Sequence, residues 1–363
     1  GSELSYRVLN QDQGKRIRVV ISYTDNQDFH EVVIADKIKL DNGKLVDLYI
    51  PYILAPPSTP DLIDSSDSGD IYDNLTNDST PTFTGTAEPN STVELYADQR
   101  SLGNTSSDAT GNWSITVVDE SALEDGLYEI TAKVTDRAGT TSAASSALSI
   151  TIDLTSPTVP STPDLLATSD SGISNSDNLT NDITPTFQGT AEANSRVELF
   201  ASNKSLGTTD ANGDGDWSFT VPSGSTLTEG SHVITAKQTD TAANTSDGSI
   251  SLTLNIDVTS PLIRDPSGNT GATSSFYYIN DGDKDIHTFI SNVNNENIIW
   301  SLTGGMDAEL FIIGETNGNL SFKDPVNSSN PKDSDLNNSY EVVVKATDVA
   351  GNFSTQSVTI VPE

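Results

Sequence analysis

Apolar and polar residues alternate along most of this chain, which predicts β-strands rather than helices. Val93 and Leu95 share one face of a predicted strand, and Trp113, Ile115 and Val117 share a face of another. Clusters of Gly, Asn, Asp and Ser separate these runs, and a side-chain period of two is typical of strands with one buried face. The same alternation predicts two further strands, at 128–132 and 148–152. The pattern therefore favours an all-β protein.

The alternating pattern repeats at the length of a whole domain. Trp113 recurs as Trp217 and Asp136 as Asp240, each 104 positions later, and the phrase Asp73–Asp78 returns as Asp177–Asp182. A period of this length is a domain rather than one turn of a solenoid. About seven short strands per hundred residues predict antiparallel β-sandwiches of immunoglobulin type. We therefore predict tandem sandwiches in an elongated array.

Proline-rich segments and a change in charge indicate the domain boundaries. Residues 1–58 carry 8 acidic and 7 basic side chains, whereas the rest of the chain carries 44 and 11. Proline is excluded from central strands and stiffens linkers, and it recurs in 56–60, 155–163 and 259–261. Four segments follow: a partial or small immunoglobulin-like domain at 1–57, repeat 1 at 58–157, repeat 2 at 158–261, and a cadherin-like sandwich at 262–363.

Composition excludes several classes of partner. The net charge is -34, which disfavours binding to nucleic acid or to anionic membranes. No apolar run is long enough for membrane insertion, and the leading Gly1-Ser2 is typical of a cloning remnant, so we expect a fragment of a longer protein. The chain has no cysteine, and small extracellular domains without disulfides commonly use metal ions as staples.

Aspartate dominates the acidic residues and points to the kind of metal. Of the 52 acidic residues, 37 are Asp, which favours loops over helices and supplies the oxygen ligands that Ca²⁺ prefers. A generic acidic surface for solubility is the alternative interpretation. The recurrence of the acids at matching loop positions in both repeats favours calcium.

Several phrases carry a resemblance to known families. Residues 59–261 resemble two tandem bacterial immunoglobulin-like domains of giant adhesins secreted as repeats-in-toxin (RTX) proteins, through 78–88, 111–115, 130–136 and 152–157. Residues 262–363 resemble a bacterial cadherin-like domain, through 333–338 and 346–352, and the first 55 residues resemble the end of another immunoglobulin-like module around Asp12–Lys15.

The resemblance implies a mechanical function outside the cell. It implies a calcium-rigidified extender of a bacterial surface adhesin, which spaces a binding tip from the cell for adhesion or biofilm formation. The expected partners are the neighbouring domains of the same chain, with the protein otherwise a monomer and not an enzyme. The alternative is a ligand-binding module for carbohydrate, protein or ice, with its site in the first or last domain.

Topology predicts which carboxylates meet. In a sandwich whose chain comes in at one end and leaves at the other, the loop before the last strand lies at the incoming end. We therefore expect Asp136 beside Asp61, Asp67, Asp73 and Asp78, with Glu88 and Asp153 at the opposite end. A joint would then place Glu88 and Asp153 of repeat 1 against Asp164, Asp170, Asp177, Asp182 and Asp240 of repeat 2.

The remaining candidate ligands follow from the same scheme. Glu192 is the counterpart of Glu88, Asp257 and Asp348 would share the joint before the last domain, and Asp281, Asp333 and Asp335 would lie where that domain ends. We expect several Ca²⁺ ions, mainly at the interdomain junctions, each with six to eight oxygen ligands.

Several more specific motifs are better explained by structural roles than by binding or catalysis. Asp210–Asp216 imitates the start of an EF-hand loop, but Val221 stands where the loop needs Glu, so a hairpin turn is favoured over a private calcium site. Asp67-Ser68-Gly69 and its counterpart Asp170-Ser171-Gly172 match a protease motif only by letters, because polar residues precede both. The three histidines have no metal or triad spacing, His232 is expected to pack, and the three tryptophans are expected in cores.

Overall fold

The structure is a computed structural model that describes residues 19–24, 30–35, 54–292 and 298–363. It forms two compact units, the first comprising residues 1–155 with 241–244 and the second residues 156–240 with 245–363. Strands β1 (Val19–Thr24) and β2 (His30–Ala35) pair antiparallel. Apart from these strands and residues 54–57, the predicted domain at 1–57 lies outside the described residues, as does the phrase Asp12–Lys15.

Repeat 1 is a sandwich of a three-stranded and a five-stranded sheet. Its strands are β3 (Asp61–Leu62), β4 (Leu75–Thr76), β5 (Thr82–Thr86), β6 (Thr92–Ala97), β7 (Arg100–Ser106), β8 (Asn112–Thr116), β9 (Gly126–Thr135) and β10 (Leu148–Ile152). The sheet orders are β3-β5-β8 and β4-β10-β9-β6-β7. All pairings are antiparallel except the short parallel pairing of β4 with β10. A short 3₁₀ turn, Asp119–Ser121, precedes β9.

Repeat 2 has the same topology. Its strands are β11 (Asp164–Leu165), β12 (Leu179–Thr180), β13 (Thr186–Thr190), β14 (Arg196–Ala201), β15 (Lys204–Asp210), β16 (Asp216–Thr220), β17 (Gly230–Thr239) and β18 (Leu252–Ile256). The sheet orders are β11-β13-β16 and β12-β18-β17-β14-β15, again with one parallel pairing, between β12 and β18.

The last domain also consists of two β-sheets, but its strand order differs from that of the repeats. Its strands are β19 (Ser274–Ile279), β20 (Asp285–Thr288), β21 (Ile299–Gly304), β22 (Phe311–Ile313), β23 (Asn319–Phe322), β24 (Tyr340–Thr347) and β25 (Phe353–Pro362), with a 3₁₀ turn at Ala308–Leu310. They form the sheets β19-β25-β24-β21 and β20-β23-β22, in which β19 runs parallel to β25. The fold is thus all-β, as predicted, and the described residues contain no α-helix.

The alternating apolar residues form the cores. Val93 and Leu95 are fully buried, and Trp113, Ile115 and Val117 are at most 5% exposed, because each strand turns one face toward the opposite sheet. Trp217 and Trp300 are buried in the same way, so the expectation that the tryptophans are core residues is confirmed. No helix among the described residues is long and apolar enough to cross a bilayer.

A glycine makes room for each repeat's tryptophan. A Cβ atom on Gly189 would lie 2.5 Å from Cζ2 of Trp217, and one on Gly85 would meet Trp113 at the same distance. These contacts are far below van der Waals separation. The indole ring therefore packs directly on the backbone of the neighbouring strand.

We expect Gly189→Ala to destabilise repeat 2 by about 1–3 kcal/mol, because the added methyl forces a packed core to shift. Gly213→Ala is the matched control, since a Cβ there meets no atom within 4 Å. Hydrogen exchange of the β13 and β16 amides measures the loss locally. Equal exchange rates in the two variants would contradict this packing.

Candidate metal centres at the domain ends

The acid-rich loops of repeat 1 lie at its C-terminal end, where the chain leaves the sandwich. In the parallel pairing of β4 with β10, Thr76 is opposite Ile152, and the Asp153 N–H donates to the Thr76 carbonyl at 2.9 Å. Since β10 ends at Ile152, the loops on either side of β4, 63–74 and 77–81, lie beside Asp153.

This topology corrects part of the predicted grouping. Asp67, Asp73 and Asp78 share the C-terminal end with Asp153 and do not lie beside Asp136. Thr92 pairs with Thr135, which places the turn containing Glu88 at the N-terminal end with Asp136 instead of with Asp153. Asp61 lies on β3, opposite Thr84. The prediction treated the first strand as continuous, whereas it is split between the two sheets and carries its loop to the far end.

Repeat 2 requires the same correction. The Asp257 N–H donates to the Thr180 carbonyl at 2.9 Å, which joins the loops around β12 to the C-terminal end. Arg196 pairs with Thr239, which places Glu192 and Asp240 together at the N-terminal end. The acids therefore divide into two groups, with Asp170, Asp177, Asp182 and Asp257 at one end and Glu192 and Asp240 at the other. Asp164 lies on β11.

In each repeat, one oxygen of a buried carboxylate lacks a hydrogen-bond partner. Asp67 and Asp170 are each 5% exposed, and the Oδ1 atom of each accepts no hydrogen bond. The other oxygen of Asp170 accepts the Asn178 N–H at 3.2 Å. A buried charged oxygen without a donor is costly, which makes these atoms the strongest candidates for a cation ligand.

Burial and neighbouring charges disfavour the ionised form of both groups. Burial raises the pKa of Asp170, and the negative charges of Asp177 and Asp164 raise it further. Burial likewise raises the pKa of Asp67, with Asp73, Asp70 and Asp64 adding like charge. Asp70 and Asp64 were missed by the sequence reasoning because they have no counterparts in repeat 2. The density of Asp in 61–78 is the signal that could have identified them.

Most other candidate carboxylates already hold the backbone in turns. Asp78 Oδ1 accepts the Thr80 N–H at 2.8 Å, and Asp182 Oδ1 accepts the Thr184 N–H at 2.8 Å. Asp136 accepts two N–H groups of its own turn. One oxygen is engaged in the same way, by the N–H two residues on, in Asp73, Asp153, Asp177 and Asp257. Each of these four carboxylates keeps a second oxygen for another partner.

Glu192 also has a structural contact. Its Oε1 accepts both the N–H and the hydroxyl of Thr158, at 2.9 and 3.0 Å. It therefore ties the incoming chain to the N-terminal end of repeat 2.

In the last domain, the expected acids lie where the chain leaves. The Asp281 N–H donates to the Glu363 carbonyl at 3.1 Å, and Asn338, which follows Asp333 and Asp335, donates to the Pro362 carbonyl at 3.1 Å. Asp333 is 2% exposed and accepts the N–H groups of Asn337 and Asn338. Its carboxylate thus stabilises its own loop.

Asp307 is a buried acid that the sequence reasoning missed. It is 3% exposed, and it accepts the Ser334 N–H at 2.7 Å and the Glu341 N–H at 2.9 Å. It has no counterpart in the repeats that could have drawn attention to it.

Asp348 faces the joint with repeat 2, as expected. It is 8% exposed and accepts the Asn352 N–H at 2.8 Å, while the Asn352 side chain donates to the Asp257 carbonyl at 2.8 Å. One asparagine thus links the two acids predicted to share this joint.

Carboxylates alone do not assemble a metal site. Across residues 54–292 and 298–363, no three His, Asp or Glu side chains lie close enough together to hold an ion. Any calcium site must therefore include backbone carbonyls, amides or water, which calcium accepts readily. The carbonyls of Asp153 and Asp257 lie next to the acids of their own domain ends.

The weaker motifs have structural roles. Asn212 Oδ1 accepts the N–H groups of Asp214 and Asp216, each at 2.9 Å, so the EF-hand-like segment is a hairpin turn, as favoured. His232 is only partly buried, and its Nε2 lies 2.7 Å from the Thr228 carbonyl, so it holds a turn rather than filling the core.

Exposed aromatic side chains occur on the edge strand β19. Phe276 and Tyr278 are 49% and 63% exposed, with ring centroids 4.9 Å apart. Their planes cross at 63°, so they offer no flat platform for a sugar ring.

Comparison with known proteins identifies the domain type. A family model described as bacterial Ig-like domain matches residues 54–154 and again 156–258, and a second, described as bacterial Ig-like domain (group 3), matches 215–361. No protein with a curated description matches the chain.

Solved structures of low sequence identity resemble the chain. A calcium-stabilised, ice-binding adhesin of an Antarctic bacterium is 18% identical over 94% of this chain and 80% of that one, with a TM-score of 0.40. Part of a 1.5-MDa bacterial ice-binding adhesin is 19% identical over 85% and 100%, with a TM-score of 0.32. The fibronectin(III)-like modules of Clostridium thermocellum CbhA are 17% identical over 55% and 94%, with a TM-score of 0.33.

We expect Asp170→Asn to stabilise the metal-free protein at pH 7 by about 1 kcal/mol, the order of the cost of an unpartnered buried polar atom. Because the pKa of Asp170 is raised above 3.8, the folded protein binds this proton more tightly than the unfolded chain. The contribution of Asp170 to the free energy of unfolding therefore grows as the pH falls through its raised pKa. The difference between parent and variant should shrink over that window and level off near pH 3.8.

Melting temperatures in EDTA between pH 7 and pH 4 test this expectation. Asp247→Asn, at an exposed acid of the same repeat, is the control and should leave the difference small at every pH. A parent that loses stability relative to Asp170→Asn on acidification would contradict the assignment.

Proposed function

Because the chain belongs to the bacterial Ig-like domain family, we propose that it is an extender segment of a large bacterial surface adhesin of the RTX type. Its function is mechanical and extracellular: it holds a binding tip away from the cell for adhesion or biofilm formation. The tandem match of two whole repeats supports a spacer, since repetition adds length without adding a new site.

We further propose that calcium stiffens the joints. The observation that carries this proposal is the buried Oδ1 of Asp67 and Asp170, which lacks a donor in both repeats. A bound cation would supply the missing partner and would offset the burial and the like-charge repulsion that together raise both pKa values. Calcium suits this position because it prefers carboxylates together with neutral oxygens.

The proposed calcium ligands are grouped by the domain end at which they lie. The C-terminal end of repeat 2 would contribute Asp170, Asp177 and Asp257, and the last domain would contribute Asp348. At the C-terminal end of repeat 1, the ligands would be Asp67, Asp73 and Asp153. Carbonyl oxygens and water would complete each shell. Calcium would then bind only the aligned state, which stabilises that state by mass action.

Calcium should change stiffness and stability together. At calcium 100-fold above the dissociation constant, each site should add about 2.7 kcal/mol to the free energy of unfolding. We expect a higher melting temperature and a larger maximum dimension by small-angle X-ray scattering than in EDTA. Magnesium at the same concentration is the control, because it dehydrates reluctantly and demands strict octahedral geometry. Identical melting temperatures and scattering profiles in calcium and in EDTA would rule out stiffening by calcium and would leave only the spacer function.

Single substitutions should separate joint ligands from surface acids. Asp257→Asn and Asp170→Asn each remove one charge but keep size and a carbonyl oxygen, so calcium affinity should fall while the domains still fold. Asp247→Asn removes the same charge at an exposed position outside the proposed joints. Calorimetric titration measures the three affinities. If all three variants bind calcium with equal affinity, the ion is held elsewhere.

A further inference from the structure

The Asp-Ser-Gly loop of repeat 2 (Asp170–Gly172) contacts a turn of the following domain. Ser171 Oγ donates to the Ala350 carbonyl at 2.7 Å and accepts the Asn181 N–H at 2.8 Å. Immediately after the loop, the Ile173 N–H donates to the Val349 carbonyl at 3.2 Å. The hydroxyl therefore joins its own domain to the turn Asp348–Asn352, which we call the acceptor turn.

A glycine in the loop allows it to touch the acceptor turn, whereas the turn accepts either Gly351 or, in repeat 2, Ala243 with a φ of 70°. A Cβ on Gly172 would lie 2.0 Å from the Val349 carbonyl oxygen, and a Cβ on Gly351 would lie 3.1 Å from the Gly172 backbone. Both glycines also have positive φ values, +98° and +91°. Ala350 is fully buried beneath this contact.

The acceptor turn also holds the linker that leads into its own domain. The Asn352 side chain donates to the Asp257 carbonyl at 2.8 Å, and Ser354 Oγ donates to the Pro261 carbonyl at 2.5 Å. Every one of these contacts joins two protein atoms directly. None of them requires a cation.

The serine, glycine and asparagine contacts recur in the first unit, which includes residues 241–244. Ser68 Oγ donates to the Ala242 carbonyl at 2.5 Å, and a Cβ on Gly69 would lie 2.1 Å from the Thr241 carbonyl oxygen. Asn244 donates to the Asp153 carbonyl at 2.8 Å. Two independent occurrences with matching partners indicate a specific pairing of sequence motifs.

We infer that the Asp-Ser-Gly loop is a docking element whose partner is an acceptor turn of the form Asp-x-Ala-x-Asn, and that this pairing fixes domain order without a cation. The inference goes beyond the proposed function, because it concerns which domain can follow which rather than what stiffens the array.

The distribution of the two motifs agrees with a directional connector. Repeat 2 carries both, with Asp170–Gly172 at its C-terminal end and Asp240–Asn244 at its N-terminal end. The last domain carries the acceptor turn, but its own C-terminal loop reads Asp333-Ser334-Asp335. In repeat 1, Thr140 replaces the asparagine of the acceptor turn, and Ala138 is exposed where Ala242 and Ala350 are fully buried. That turn therefore lacks the amide that binds the preceding linker.

The absence of native cysteine makes a distance measurement direct. Spin labels on Ser223→Cys and Thr303→Cys, both exposed positions, report on repeat 2 and the last domain by double electron–electron resonance in the full chain. We expect the parent distance to keep one centre in EDTA and in calcium, and to be narrower in calcium. In EDTA, Gly172→Ala, which places a Cβ against the Val349 carbonyl, and Ser171→Ala, which removes the hydroxyl that donates to the Ala350 carbonyl, should each widen the distribution at least twofold.

Gly282→Ala is the matched control, because its φ is +90° but a Cβ there meets no atom within 4 Å. It carries the same backbone strain in the last domain and should keep the narrow distance. A parent distance whose centre moves when EDTA replaces calcium, or equal widths for Gly172→Ala, Ser171→Ala and Gly282→Ala, would overturn the inference. Failure of the calcium proposal gives a different result, namely a parent distribution that does not change when calcium is added.

Discussion

The parallel pairing of a two-residue strand with the last strand of each repeat determines where its chemistry lies. In repeat 1 the side chain of Thr76 is fully buried, and its hydroxyl donates to the Ser66 carbonyl at 2.5 Å and accepts the Asp78 N–H at 3.0 Å. Thr180 makes the matching bonds in repeat 2. This single buried hydroxyl holds both acid-rich loops against the end of β10 or β18. Backbone bonds from Ser66 and Asp67 to the Ile63 carbonyl add to this anchoring.

The same pairing creates an electrostatic cost. It carries Asp67 or Asp170 into a site that is 95% buried and surrounds it with further aspartates. Most carboxylates of the loops offset their burial by accepting backbone N–H groups, as Asp78 and Asp182 do. One oxygen in each repeat remains without a donor. Because the same oxygen lacks a donor in both repeats, it is the atom of each loop that would gain most from the cation proposed above.

The sequence correctly predicted the positions that burial determines. It did not predict the positions that depend on a pairing of only two residues. Alternation identified Val93, Leu95 and Trp113 as core residues, because a strand's period of two is imposed along its whole length. The pairing of Leu75 and Thr76 with β10 involves two residues and has no periodicity, so the ends of the domain were assigned wrongly for Glu88 and Asp67. The repeated Asp-Ser-Gly motif was identified in the sequence, but it was compared only with an aspartic-protease motif and was rejected as one. Its docking role depends on the Val349 and Ala350 carbonyls, which are backbone atoms that no sequence pattern marks.

Two kinds of interaction thus meet at the joint between repeat 2 and the last domain, and they suit different tasks. Direct hydrogen bonds from Ser171 and Asn352 are short and geometrically strict, so they select one docked arrangement. The carboxylates Asp170, Asp257 and Asp348 lie at the same joint, where like charges oppose close approach. Under the proposed function, calcium would offset this repulsion and stiffen the joint, whereas the neutral groups would select the docked surfaces. Removing calcium would then weaken the joint without changing which surfaces fit.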